Sequence, residues 1–412
     1  MRGSWSVEDK LQVHRNVYDL LKGASPPGIL ARWLGGIFEA VDEGRPIVYH
    51  PFTTFSEIMV AMDVQPLCCE AWDIVGLQVD PDHAIKSVDA AHEAGIPAEL
   101  CSFDKAIIGS IIRGTMPKPS LVVQAGMPCQ NAYTTYQAVA ALTGAPLYVC
   151  DTPYDLDEEG ALDHWVNQYK GMISFIEEHT GKKMDYDRLR EVVEESNRCV
   201  EYWLEAVELM KSIPAPRTGP LSQGTIAGMM GFGTPEGTAA MKALLDETKD
   251  KIARGETAIP EEKARVIWFH FQVMWDNALM GFMGELGATV PYVLFDDFRV
   301  EPVDTSSVER MLRGLAWRAL QAPMGKVGRG AFDVLLGDML YAVDQWKGDC
   351  VIIGANPGCK WLTGAYGLIR DACRDRGVPL LLYDVDLVDR RITSAEESRS
   401  RIEHFLATVM DR

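Results

Sequence analysis

Nine cysteines in a chain of 412 residues are the groups most able to carry chemistry here, and three of them share a setting. Cys359 stands in Gly354-Ala355-Asn356-Pro357-Gly358-Cys359-Lys360-Trp361, directly after the β-branched run Val351-Ile352-Ile353. Beyond it, Leu362, Leu368, Ile369 and Cys373 have helical spacing, which predicts one helix over Trp361 to Arg376. Cys129 follows the run Leu121-Val122-Val123-Gln124 and the turn Ala125-Gly126-Met127-Pro128, and Cys101 closes Ala98-Glu99-Leu100-Cys101. Each thiol is expected at or just past the C-terminal end of a strand, the edge where open α/β sheets hold ligands. Three thiolates with one open position suit an iron–sulfur cluster that also binds substrate. Their separations, 28 and 230 residues, match no compact ferredoxin-type run, so spacing alone supports three ordinary buried cysteines equally well.

The remaining cysteines divide. Cys150 ends a strand, Cys350 begins one, and Cys199 and Cys373 lie on helices, all readings of buried small hydrophobes. The adjacent pair Cys68-Cys69 is kept in reserve as a source of further ligands. Eight histidines show no HExxH spacing. His50 and His270 each terminate the first strand of a half, where an imidazole can serve as acid or base, or simply donate to a carbonyl. The aromatic group Trp268, Phe269, Phe271 and Trp275 reads either as the wall of an apolar ligand pocket or as core, and so do Met229, Met230 and Phe232. No P-loop, no G-x-G-x-x-G followed by an acidic residue and no G-x-S-x-G elbow occurs, so ATP, NAD and serine-hydrolase chemistry lack support.

The elements that must position these groups alternate between strand and helix. Strands are predicted at Pro46–His50, Leu121–Gln124 and Pro146–Cys150, then at Arg265–His270, Val290–Phe295 and Val378–Asp384, besides the run before Cys359. Helices are expected over Ser56–Met62, Pro81–Ala94 with Asp80 as N-cap, Phe103–Gly114 and Thr134–Thr143. Gly160 to Lys211 is helical throughout, broken at Thr180-Gly181-Lys182-Lys183. The chain accordingly divides into an N-terminal helical segment (1–45), a first α/β lobe (46–158), a helical insert and connection (159–260) and a second α/β lobe (261–412). The fold class is α/β, two Rossmann-like, flavodoxin-like parallel-sheet lobes. Hydrophobic residues make up 47% and charged residues 24%, as in ordinary globular proteins. A net charge of −19 with no basic stripe argues against a nucleic-acid surface. No run approaches membrane-spanning length and no signal peptide is read, which predicts a cytoplasmic protein without disulfides.

The order of these motifs resembles the 2-hydroxyacyl-CoA dehydratase and benzoyl-CoA reductase family. The resemblance runs from about Pro46 to the C-terminus, through Pro51-Phe-Thr-Thr-Phe-Ser-Glu57, Cys101-Ser-Phe-Asp-Lys-Ala-Ile-Ile-Gly109, Gly126-Met-Pro-Cys129-Gln, Asp151-Thr-Pro153, Glu195-Ser-Asn197, Asn356-Pro-Gly-Cys359, Pro379-Leu-Leu-Leu-Tyr-Asp384 and Arg401-Ile-Glu-His-Phe405. It implies a [4Fe–4S] cluster held by Cys101, Cys129 and Cys359, a homologous second subunit or a second copy as dimer partner, and a separate ATP-hydrolysing activator that delivers electrons. It further implies an acyl-CoA substrate, most directly a 2-hydroxyacyl-CoA dehydrated through a ketyl radical. Reduction of an aromatic ring, as in benzoyl-CoA reductase, is the second implied activity. A homodimer with a double-cubane [8Fe–9S] cluster, drawing on Cys68, Cys69 and Cys350, is the third. A non-catalytic subunit that binds acyl-CoA or scaffolds a partner is the reading from another class.

Overall fold

In each half of the chain, four short apolar runs pair into a parallel sheet with the same strand order. The computed structural model describes residues 11–23, 28–54, 56–78, 80–124, 129–156, 158–219, 230–296, 298–328 and 332–411. The first sheet holds β1 (Ile47–His50), β2 (Gln65–Cys68), β3 (Leu121–Gln124) and β4 (Leu147–Val149), in the order β2-β1-β3-β4. The second holds β5 (Ala264–Trp268), β6 (Ala288–Val293), β7 (Cys350–Ala355) and β8 (Leu380–Asp384), in the order β6-β5-β7-β8. Register is Ile47↔Gln65 through His50↔Cys68 in the first sheet, and Val266↔Cys350 through Trp268↔Ile352 in the second. Every residue of β1, β3, β5, β6 and β7 is buried, which explains why they read as unbroken apolar runs and not as alternating ones. In both sheets the chain winds one way from the first strand to the second and the other way to the third. That reversal opens a crevice at the C-terminal ends of β1/β3 and of β5/β7.

Two long helices, Ala161–Thr180 and Tyr186–Leu209, join the halves. Their buried faces enter one core that also takes side chains from both sheets. Trp165 Nε1 donates to the Ala316 carbonyl at 3.1 Å and Trp203 Nε1 to that of Asp296 at 3.2 Å, so the insert is tied to the second half. Among the described residues no helix is long and apolar enough to cross a membrane.

Three local expectations need correction, and one strand goes unread in the sequence. The segment Gln65–Cys68 is a strand, hidden in the sequence by Pro66; at the edge of its sheet a residue without N–H is tolerated. Cys101 does not end a strand. Residues 98–100 form a turn closed by Leu100 N donating to the Pro97 carbonyl, and Cys101 is the N-cap of the helix Ser102–Arg113. The helix expected from Pro81 begins at His83 with Asp82 as N-cap, while Asp80 caps the preceding turn through Asp82 N. The helix expected over Trp361–Arg376 is two, Lys360–Thr363 and Tyr366–Asp375, interrupted at Gly364-Ala365.

Candidate active site between the two lobes

Cys101, Cys129 and Cys359 each occupy the N-cap of a helix: Ser102–Arg113, Gln130–Thr143 and Lys360–Thr363 respectively. All three line one cavity between the lobes, of about 70 Å³, and each is half-buried. Backbone N–H groups of the following turn face the sulfurs: Phe103 toward Cys101, Ala132 and Asn131 toward Cys129, and Leu362 toward Cys359. Helix N-termini favour anionic sulfur. Burial nonetheless dominates and pushes the thiols up, Cys129 to about 12 and Cys359 to about 11. Cys101 is pushed well up too, through burial first, then the Asp104 carboxylate and the two neighbouring thiols. Left alone these are neutral thiols; iron would supply the positive charge that holds them as thiolates.

The Cys359 turn reaches the first lobe through a close backbone contact. A Cβ on Gly358 would lie 2.7 Å from Cys101 Cα and 2.8 Å from the Leu100 carbonyl oxygen, so only glycine allows this approach. Asn131 Nδ2 donates to the Gly358 carbonyl at 3.3 Å, and Asn356 Oδ1 accepts from Gly358 N at 2.9 Å. Asn356 Nδ2 stands 4.0 Å from Cys101 Sγ. Thus the two lobes lock together at the atoms that bring the thiols side by side. Among the described residues no three His, Cys, Asp or Glu side chains close around one point as a single metal ion needs. Thiols spread around a cavity wall suit a group that bridges them, and the donor set fits an iron–sulfur cluster.

Two acids missed at the sequence level also line the cavity. Glu70 follows Cys69 in the first turn of the helix Cys69–Leu77, and Asp104 lies in the first turn behind Cys101. Burial pushes each carboxyl up to about 7. Glu70 accepts from Tyr136 Oη at 3.1 Å and from Phe52 N at 3.2 Å. Their only sequence signal was proximity to cysteines, since an isolated acid on a helix usually faces water.

The histidines part company. His270 lines the cavity, its Nδ1 has no hydrogen-bond partner, and burial lowers it to about 4, so the ring is neutral. His50 is buried off the cavity, with Nδ1 donating to the Pro51 carbonyl at 3.0 Å, and burial lowers it too to about 4. Cys68 and Cys69 sit in the core of the first lobe and are not among the cavity's lining residues. Cys350 is fully buried at the opposite end of β7, a six-residue strand, from the Cys359 turn. Of the aromatic group, Phe271 lines the cavity while Trp268 and Phe269 are core; Phe232 is core as well, and Met229 lies outside the described residues.

A family model described as 2-hydroxyglutaryl-CoA dehydratase, D-component matches residues 52–409. The (R)-phenyllactyl-CoA dehydratase alpha subunit of Clostridium sporogenes is 24% identical over 329 residues, 76% of this chain and 77% of that one. The (R)-2-hydroxyisocaproyl-CoA dehydratase alpha subunit of Clostridioides difficile is 22% identical over 402 residues, covering 93% and 95%. A benzoyl-CoA reductase subunit of Thauera aromatica is 24% identical over 351 residues, covering 77% and 78%. With a match that takes in the second sheet, three strands of the first, the connecting helices and every described lining residue of the cavity, the chain belongs to the 2-hydroxyglutaryl-CoA dehydratase D-component family.

Proposed function

We propose that this chain is an enzyme subunit that dehydrates a 2-hydroxyacyl-CoA, with a [4Fe–4S] cluster held by Cys101, Cys129 and Cys359. The supporting observation is the convergence of three thiols, from three separate helix N-termini in two lobes, on one cavity. A cluster bound there would supply single electrons to the thioester carbonyl. The chain's own residues then have defined tasks. The phenyl rings of Phe52, Phe103 and Phe271 exclude water. Neutral His270 presents a ring nitrogen to a carbonyl or hydroxyl oxygen. Dehydration removes a proton from the carbon next to the hydroxyl-bearing one and returns a proton to the departing hydroxyl, leaving water and an enoyl thioester. Glu70, with a carboxyl that can be protonated or charged near neutral pH, holds and passes that proton at its Oε atoms.

The alpha-subunit names of the relatives support assembly with a homologous second subunit. Electron delivery by a separate ATP-hydrolysing activator, and a cytoplasmic setting, belong to the same reading. Ring reduction is the second reading, favoured by the stack of Phe271 on Phe295 at 3.4 Å beside the cavity and by the similarity to the benzoyl-CoA reductase chain of Thauera aromatica. The double cubane draws less support, because Cys68, Cys69 and Cys350 do not line the cavity, Cys68 only donating to the lining residue Glu70 at 3.5 Å.

Iron and acid-labile sulfide counted per chain after oxygen-free purification test this. About four irons, lost in Cys359→Ser, is the expected result. About eight would favour the double cubane, and none would leave the acyl-CoA-binding or scaffold role.

A further inference from the structure

Glu70 is held from behind the cavity wall. Tyr136 Oη stands 3.1 Å from Glu70 Oε1 and 3.2 Å from Oε2, so one hydroxyl donor faces both carboxyl oxygens. Oε2 also accepts from Phe52 N at 3.2 Å and from Cys68 Sγ at 3.5 Å. Tyr136 is fully buried and does not line the cavity, so its hydroxyl reaches a bound molecule only through the carboxyl. The Tyr136 hydroxyl also faces the Cys69 thiol. Tyr136 comes from the helix Gln130–Thr143, whose N-cap is Cys129. It lies seven residues beyond that thiol, about two helical turns, which places both on one side of the helix at a fixed separation. In the first turn of the same helix, Asn131 bonds the Gly358 carbonyl of the Cys359 turn. One helix therefore carries a candidate cluster ligand, a tie to the second lobe and the donor that faces Glu70.

Resting on the dehydration reading, in which Glu70 carries the proton, we propose that Tyr136 is a positioning residue that aims the Glu70 carboxyl into the cavity, with Cys68 as its second side-chain support. A carboxyl turns about a broad, roughly two-fold torsion, and a hydroxyl shared between its oxygens narrows that freedom. Proton transfer needs the carboxyl oxygen within hydrogen-bond reach of the reacting group, so its aim bears directly on rate. A thiol is a weak donor, so Tyr136 contributes more than Cys68. The arrangement also gives the Cys68-Cys69 pair a place beside the acid that requires no iron.

The test reads the Glu70 carboxyl itself, apart from turnover. Infrared difference spectra of the full-length chain against Glu70→Gln, taken on the acid side of the carboxyl's range of about 7, isolate its C=O stretch. Tyr136→Phe keeps the ring and removes only the hydroxyl, so the stretch moves to higher frequency as a donor is lost. Cys68→Ala moves it the same way by less. Butanoyl-CoA, an unreactive saturated thioester, shifts the band in the wild type, and that response is lost in Tyr136→Phe. Iron per chain, counted after oxygen-free purification, stays at the wild-type value in both variants. A band that keeps its place in Tyr136→Phe, or in Cys68→Ala should the first variant not fold, overturns the positioning role. Loss of iron in Cys68→Ala makes that thiol a cluster ligand and overturns its support of Glu70. A wild-type band indifferent to butanoyl-CoA, with the variant shifts present, leaves the hydrogen bonds as structural; it overturns the part of Glu70 in the dehydration and this proposal with it.

Discussion

At the residue scale, the site is a set of groups whose ordinary chemistry is altered by burial. Burial favours the neutral form of three thiols, keeps one imidazole neutral and lifts two carboxyls to about 7. In the proposed dehydration, Glu70 is the residue that carries the proton. Glu70→Gln keeps the volume and can still accept from Tyr136, so iron content should hold while turnover falls by at least about a hundredfold. A variant with normal iron and normal turnover would remove Glu70 from the reaction. The sequence made Cys129 and Cys359 visible as thiols on Gly/Pro turns after apolar runs, and Cys101 through its expected place at a strand end. It did not separate His270 from His50, both ending first strands, because which of them faces a cavity depends on packing between lobes.

At the element scale, helices present the site more than strands do. All three thiols, and Glu70 and Asp104 beside them, belong to N-caps or first turns, where unpaired backbone N–H groups point outward. The helix Cys69–Leu77 carries a second, structural duty. His14, from the helix Gln12–Leu21, stacks on Trp72 at 3.7 Å and donates Nε2–H to the Trp72 carbonyl at 2.7 Å. Burial, then His83, lowers His14 to about 3. Between pH 6.5 and 3 the unfolded chain therefore binds a proton that the folded chain refuses, so stability falls as pH drops. From pH 7 to pH 5 the wild type should lose about 2 kcal/mol more than His14→Gln, read from urea midpoints at the two pH values. Parallel profiles would show that His14 titrates normally. Helix positions were mostly legible from apolar spacing and glycine stops such as Gly114 and Gly144, both at positive φ. The strand Gln65–Cys68 was not, because a proline in a four-residue run outweighs any periodicity there.

At the scale of the whole molecule, the lobes are joined at their contact and through the helices behind them. The contact is the Gly358 approach to Cys101. Gly358→Ala forces a carbon against backbone, so it should cost about 1–3 kcal/mol in denaturant stability and lower bound iron. Unchanged stability and iron would mean that the turn yields freely. The second junction is buried. Arg318 donates to Glu57 Oε1 at 3.1 Å and to Ser196 Oγ at 2.8 Å, linking the first lobe, the long helix and the helix Val308–Gln321. Arg318→Met strands the Glu57 charge and should cost about 3–5 kcal/mol, most of it recovered by adding Glu57→Gln. A single variant as stable as wild type would show that water reaches Glu57. By contrast the exposed pairs Arg390–Asp82 and Arg391–Asp89 each contribute at most about 1 kcal/mol.

By itself the sequence determined the α/β class, the positions of most strands and helices, and the three thiols worth watching. These depend on local apolar pattern and on rare residue types, which a single chain displays directly. Only the tertiary structure decided the matching strand orders of the two sheets, the cavity shared by thiols 258 residues apart in the chain, the place of His270 and not His50 at its wall, and the acids that face it. Those depend on how two lobes meet, and contact between residues hundreds of positions apart leaves no periodic mark along the chain.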